Sequence, residues 1–387
     1  MLRKPIAVLL SILMSACGGG GGGSDGSSAT SNPVSAIGTL PEFTSGFAKF
    51  TGTPIATAAG DVDGDGRDDL VVLTADQLHV FYQRPDGLQG SFVTIAPAGE
   101  TRSTAVCDVD GDGRNEILVG YSLGDLGIYK PDADGRGALW RTLAGVRSAT
   151  VLCADVDGDG LSDVITTGKA GVTMQVLLQR DGVLVEQGTY PSDSVTLGIH
   201  DVGDIDGDGK PDVVFFGRTA QGRMSLYAYL QTTAGQFAAP VTLDFPRDPS
   251  DDIRANGVVV APLTAGKRNV VTSVGGAPGA QTIVTTHAAG GQTLTPLVLP
   301  ASDTPGYVRA RDVNGDGRVD IVVLHDGIVG IYYQNADGTF AAEQALYTYP
   351  PGAAAGVPPL VFGDFDSDGK LDIAVASQTA LYLLYQE

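Results

Sequence analysis

The chain has 387 residues, with 45 acidic against 24 basic side chains and a formal net charge of −21. That balance argues against nucleic acid or an anionic membrane surface as partner, because both recruit proteins through an excess of Lys and Arg.

In chain order, the first element is M-L-R-K-P-I-A-V-L-L-S-I-L-M-S-A-C, residues 1–17: a basic start, an apolar stretch from Ile6 to Met14, then small residues before Cys17. It reads as a secretory signal, too short to span a bilayer as a permanent helix. The Met14-Ser15-Ala16-Cys17 ending resembles a bacterial lipoprotein cleavage box, with Met where Leu is more usual. The resemblance implies that Cys17 becomes the lipidated first residue of the mature protein. Residues 18–38 open with six glycines and run on through Ser24 to Pro33, a flexible tether with a reach of roughly 20 Å. Gly18 after the cysteine, by resemblance to the sorting rules of Gram-negative lipoproteins, points to the outer membrane; which side of it the head faces is left open. The membrane is then met only through the lipid, and the head, residues 39–387, is expected to be an exported monomer.

Within that head an acidic nine-residue loop between two apolar strands recurs at intervals of 47 to 57 residues. The loops start at Asp61 (D-V-D-G-D-G-R-D-D), Asp108 (D-V-D-G-D-G-R-N-E), Asp155 (D-V-D-G-D-G-L-S-D) and Asp204 (D-I-D-G-D-G-K-P-D). A degenerate copy starts at Ala261, and two more loops follow at Asp312 (D-V-N-G-D-G-R-V-D) and Asp364 (D-F-D-S-D-G-K-L-D). A period near 50 marks an array in which no unit buries its face alone.

Side-chain oxygens at positions 1, 3, 5 and 9 and a main-chain carbonyl at position 7 form a ligand set suited to Ca²⁺, and glycine at position 6 permits the turn. The expected ligands are Asp61, Asp63, Asp65, Arg67 and Asp69; Asp108, Asp110, Asp112, Arg114 and Glu116; Asp155, Asp157, Asp159, Leu161 and Asp163. They continue with Asp204, Asp206, Asp208, Lys210 and Asp212; Asp312, Asn314, Asp316, Arg318 and Asp320; Asp364, Asp366, Asp368, Lys370 and Asp372. Without an ion the clustered carboxylates would repel one another and take up protons, or the loop would open. An EF-hand is excluded because position 12 of the first loop is Val72, where a bidentate Glu is needed, and because flanks such as Glu116-Ile117-Leu118-Val119 show no helical stripe. Of the acids, 23 sit at ligand positions, so six Ca²⁺ ions would bring −21 to about −9.

About 50 residues per unit leave room for four short strands. In the second unit these are expected at Thr104–Asp108, Glu116–Tyr121, Leu126–Lys130 and Ala138–Leu143. Seven such units predict an all-β, seven-bladed propeller of four-stranded antiparallel blades. D-x-D-x-D-G-x-x-D followed by an apolar strand resembles the FG-GAP or VCBS repeat of integrin α-subunit heads and bacterial surface proteins, across essentially the whole head. The last unit has only three strands before Glu387, and L-P-E-F-T-S-G-F-A-K-F from Leu40 resembles the fourth-strand segments A-G-Q-F-A-A-P-V and D-G-T-F-A-A-E-Q. An N-terminal strand, Phe47–Thr51, is therefore expected to pair with Leu381–Tyr385 and close the ring.

The fifth loop, with Leu263 and Ala265 in place of acids, is expected to keep its hairpin without metal. Counting back two residues from position 1 gives an apolar row expected between blades: Ala59, Val106, Cys153, Val202, Val259, Ala310 and Phe362. Asp201, Arg309 and Arg311 would line the central channel, and Cys107 and Cys153 either face each other or point apart. Recognition is expected on the rim opposite the calcium loops, at Phe245, Asp251, Asp252, Arg254, Tyr307, Arg309, Tyr347 and Tyr349. No catalytic residues are assigned. Gly120-Tyr121-Ser122-Leu123-Gly124 precedes a strand where a nucleophile elbow needs a helix, and His79, His200, His287 and His325 lack zinc spacing. The expected function is a calcium-binding surface module for recognition of a protein or for adhesion. A glycan-binding propeller is the alternative, and a polysaccharide-active enzyme such as a lyase comes third.

Overall fold

In a computed structural model, residues 43–387 are described, apart from 89–92, 132–136, 147, 169–172, 192–198, 219–223, 244–253, 265–266, 276–280, 287–295, 326, 349–359 and 378–379. Among the described residues every regular element is a strand, and none forms a helix long and apolar enough to cross a membrane.

Seven four-stranded antiparallel sheets form the blades, each running from an inner first strand outward. Blade 2 is Thr101–Cys107, Glu116–Tyr121, Leu126–Pro131 and Gly137–Leu143: the four expected strands are present, but the first starts three residues before Thr104 and leaves Asp108 to the loop, and the third and fourth each gain one residue. The second strands, such as Asp69–Thr74, Asp320–His325 and Asp372–Ser377, are buried at every position. Each lies in mid-sheet with a neighbouring blade on both faces, which is why it reads as a continuous apolar run instead of an alternating one.

Seven apolar clusters hold the sheets together, one for each pair of consecutive blades. The last joins blade 7 to blade 1 through Leu381 and Leu383 against Leu70, Val72 and Phe81, so the ring is closed. Closure uses Phe43–Lys49 as the outer strand of blade 7, with Phe43 opposite Gln386 and Lys49 opposite Ala380. The partner strand is the expected one, but the closing strand begins four residues before the predicted Phe47 and ends before Thr51. The paired strand, Ala380–Gln386, is seven residues long, and seven residues are needed to cover its edge.

Blade 5 corrects a second expectation. In the other six blades the residue just before position 1 pairs with position 9, as Gly60 does with Asp69 and Gly203 with Asp212. In blade 5 Ala261 pairs with Asn269, so Ala261 precedes position 1 and the connection is one residue shorter than a calcium loop. The hairpin persists, Arg254–Thr264 to Lys267–Gly275. The shortened count moves the apolar row by one: Val260, not Val259, packs toward blade 4, while Val259 packs toward blade 6. All seven members, Val259 included, pack at blade interfaces as expected, the other six toward the preceding blade.

Cys107 and Cys153 face each other in a disulfide between the first strands of blades 2 and 3, with Cα atoms 6.4 Å apart. The bridge spans 46 residues, and reducing it should lower stability by about 2–4 kcal/mol in urea denaturation. Two free thiols in the denatured, unreduced head domain would contradict this pairing.

Candidate metal centre

Every calcium-type loop joins the first to the second strand of its blade, so all six lie on one rim of the ring. The position 1 carboxylate organises the turn. The amides of Gly64 and Asp65 donate to Asp61 Oδ1 at 2.7 and 3.1 Å, and that of Gly66 donates to Oδ2 at 2.8 Å. The same arrangement recurs at Asp155 and Asp204. Glycines 64 and 66 take φ of 77° and 82°, a region costly for residues with a Cβ. Ser367 holds position 4 of the seventh loop at φ 63°.

Position 9 lies at the start of the second strand, fully buried as Asp69, Glu116, Asp163, Asp212, Asp320 and Asp372. Two backbone amides hold the carboxylate of each position 9 Asp: in blade 1, Val62 N–H donates to Asp69 Oδ2 at 3.0 Å and Gln83 N–H to Oδ1 at 2.8 Å. The position 2 residue that supplies the first amide, Val62, Val109, Val156, Ile205, Val313 or Phe365, is itself buried in the interface with the following blade. Loop closure and blade packing are thus one event, because the amide that fixes the position 9 acid belongs to the residue whose side chain plugs the core.

Carboxylate oxygens of positions 1, 3 and 9 lie within 4.8 Å of one another in five loops: Asp61, Asp63 and Asp69; Asp108, Asp110 and Glu116; Asp155, Asp157 and Asp163; Asp204, Asp206 and Asp212; Asp364, Asp366 and Asp372. Asp63 Oδ1 and Asp157 Oδ1 are buried without a hydrogen-bond donor. Buried carboxylate oxygens lacking a donor call for a cation, and an all-oxygen cage suits Ca²⁺. In the sixth loop Asn314 stands at position 3, and its amide is bonded to Asp316.

The fifth-position carboxylates lie outside these close groups and are held in another way. Each accepts from the position 7 amide, as Asp65 Oδ1 does from Arg67 at 3.1 Å and Asp208 Oδ1 from Lys210 at 2.9 Å, which orders the position 7 backbone. Their second oxygens are drawn to nearby cations: Asp65 to Arg67, Asp208 to Lys210, Asp316 to Arg318 and Asp368 to Lys370.

Burial pushes the position 9 acids upward, to about 7 for Asp69, Glu116, Asp320 and Asp372 and about 6 for Asp212. Their folded pKa values exceed the unfolded ones. In metal-free protein their contribution is therefore complete below about pH 4 and is lost as pH rises through 6 to 7. A chelated sample should melt several degrees lower at pH 8 than at pH 5, with calcium abolishing the difference. A metal-free melting temperature that climbs across that interval would contradict it.

One recurrent residue was not anticipated from the sequence: a buried glutamine at the end of the third strand that reaches the loop of the preceding blade. Gln83 Nε2 donates to Ser367 Oγ at 2.8 Å, Gln231 Nε2 to the Val156 carbonyl at 2.9 Å and Gln334 Nε2 to the Leu263 carbonyl at 2.6 Å. Gln179, with its amide oxygen toward blade 2, accepts from Gly111 N at 2.7 Å and Asp110 N at 3.2 Å. The signal was present as a glutamine 14 residues after position 9 in blades 1, 6 and 7. It is spaced 16 and 19 residues away in blades 3 and 4, because the hairpin between the second and third strands varies in length.

Of the expected recognition residues, Phe245, Asp251, Asp252 and Tyr349, and the side chains of Arg254 and Tyr347, lie outside the described residues, as does Cys17. Tyr307 is half-buried against the cluster between blades 6 and 7, and the Arg309 guanidinium stacks 4.2 Å from its ring centroid and donates to its hydroxyl at 2.7 Å. Asp201 feels both Arg309 and Arg311, which brings the three channel residues together. Its carboxyl is raised by burial and accepts from Val260 N at 2.8 Å.

The FG-GAP-like repeat family matches residues 61–119, 108–166, 155–215 and 312–375, leaving out the stretch that holds the metal-free loop. No curated protein matches the chain in sequence. Among solved structures, BBS1N in complex with ARL6DN is similar at a TM-score of 0.59 and 14% identity, covering 91% of this chain and 98% of that one. A lectin of Agrocybe aegerita that recognises non-reducing terminal N-acetylglucosamine is similar at a TM-score of 0.55 and 17% identity, covering 87% and 86%. At these identities the likeness concerns the fold.

Proposed function

Because the chain belongs to the FG-GAP-like repeat family, we propose that it is a calcium-stabilised recognition or adhesion module for a protein partner, exported and tethered to the outer membrane by a lipid on Cys17. The observation that carries this reading is the placement of all the acid-rich loops on one rim, each tied into the blade interfaces. Ions there would stiffen the ring, leaving the loops of the opposite rim for recognition on a rigid scaffold. BBS1N, a structure of the same fold, is in complex with ARL6DN, a protein partner. Calcium, when bound, would supply charge neutralisation and cross-linking; the acids at positions 1, 3 and 9 would hold it, and the position 2 amides would orient the buried acid.

The Agrocybe aegerita lectin supports a glycan-binding alternative. A calcium-dependent pull-down from an envelope fraction, run beside a glycan array, separates the readings. A protein retained in calcium, lost in chelator and insensitive to sugars is the expected result. Glycan binding with no protein captured would replace it with the lectin reading, and depolymerisation of an acidic polysaccharide would replace both with an enzyme. For the anchor, Cys17→Ser should move the protein from the membrane to the soluble fraction, and unchanged membrane association would count against lipidation.

A further inference from the structure

Blade 2 departs from its siblings at two linked positions. Its position 9 acid is Glu116 where the other five metal-type loops have Asp, and the residue 14 places on is Lys130 where blades 1, 6 and 7 have Gln83, Gln334 and Gln386. The side chain of Lys130 does not reach toward the preceding blade; it turns into its own loop. Its ammonium lies 2.5 Å from Asp110 Oδ2, 2.6 Å from Asp112 Oδ2 and 3.5 Å from Glu116 Oε1, in contact with positions 3, 5 and 9 at once. Glu116 Oε1 is buried and has no hydrogen-bond donor, so its remaining electrostatic partner is that ammonium. The longer Glu side chain carries this oxygen toward the lysine, while Oε2 keeps the usual bond from the Val109 amide at 3.0 Å.

Other basic groups near the loops behave differently. Arg84 reaches positions 3 and 5 of loop 1 from outside, as Arg180 does in loop 3, and neither forms an ion pair with position 9. Lys210 and Lys370 pair with position 5. Among the described ion pairs, only that of Lys130 extends to a position 9 acid. The indole of Trp140, the one tryptophan of the chain, helps hold the lysine there, with Nζ 5.2 Å from the ring centroid.

We propose that Lys130 is a built-in counter-ion that closes the blade 2 loop to calcium, so that this loop is neutralised by the protein while its siblings with intact acid sets take the metal. The inference rests on the calcium reading of the other loops. A divalent ion entering among Asp108, Asp110 and Glu116 would have to expel the ammonium from the space it shares with their oxygens, and would then sit beside a displaced positive charge. The substitution of both partners in one blade is what a dedicated ion pair requires, since the glutamate without the lysine would leave Glu116 Oε1 without a mate.

Equilibrium dialysis against calcium chloride, with bound calcium counted per chain, tests this. Lys130→Gln, which installs the residue found in blades 1, 6 and 7, should bind one ion more than the unmodified protein. Within the unmodified background, Asp110→Asn should leave the count unchanged while Asp206→Asn lowers it by one. Trp140 emission should stay constant when calcium is added to the unmodified protein, because Lys130 stays on the indole. Equal non-zero counts for Lys130→Gln and the unmodified protein, or a loss of one ion in Asp110→Asn, would overturn the proposal. An absence of bound calcium in every variant would instead bring down the calcium reading on which it stands.

Discussion

Stripping calcium from the head domain should lower its melting temperature by about 10 °C. Each site filled at 10 to 100 times its Kd adds roughly 1.4–2.7 kcal/mol, so four sites add about 6–11 kcal/mol as a ceiling. Spread over the unfolding entropy of a chain this long, that corresponds to about 8–15 °C. The physical reason lies at position 9: Asp69 and its equivalents are fully buried, and burial opposes their ionised form. Metal removal leaves these acids either protonated or repelling positions 1 and 3. Asp157→Ala, which deletes one ligand, should reproduce the loss of a single site, about 1.4–2.7 kcal/mol. A melt unchanged by a chelator, with metal removal verified by elemental analysis, would refute the stabilising role.

A chain lacking residues 40–52 should lose cooperative unfolding altogether. Those residues include the strand Phe43–Lys49, which covers the edge of Ala380–Gln386 over seven residue pairs. They also supply Ala48 and Phe50 to the cluster between blades 7 and 1, and Phe43 to that between blades 6 and 7. Removing them takes roughly 2–3 kcal/mol of apolar burial per large side chain. It also exposes an unpaired strand edge, a template for aggregation. Circular dichroism melts would show a broad, low-temperature transition or precipitation. A truncated protein with the same midpoint and steepness would show that the ring closes by other means.

The seven-fold repeat, four strands per unit and the ring closure were all legible in the residues, because each loop carries its own spacing signature and each strand its own apolar pattern. The metal trio at positions 1, 3 and 9 was legible for the same reason. The second role of position 5 was not: its Asp also accepts from the position 7 amide and pairs with a basic side chain, contacts that the motif does not display. The register of blade 5 escaped because a one-residue deletion in a loop already stripped of acids leaves no landmark. Only the pairing of Ala261 with Asn269 reveals it. The glutamine bridges and the Cys107–Cys153 disulfide depend on which blades are neighbours and which face each strand presents, and these are properties of the closed ring. The position 2 side chains were visible as apolar letters inside an acidic loop. Their function needed the neighbouring blade to be in place.

The most direct measurement is anomalous diffraction from crystals of residues 39–387 grown in calcium. Ions coordinated by positions 1, 3 and 9 are expected in the loops that begin at Asp61, Asp155, Asp204 and Asp364. Loops of the observed geometry without any such ion at millimolar calcium would contradict the claim that divalent cations fasten the blades.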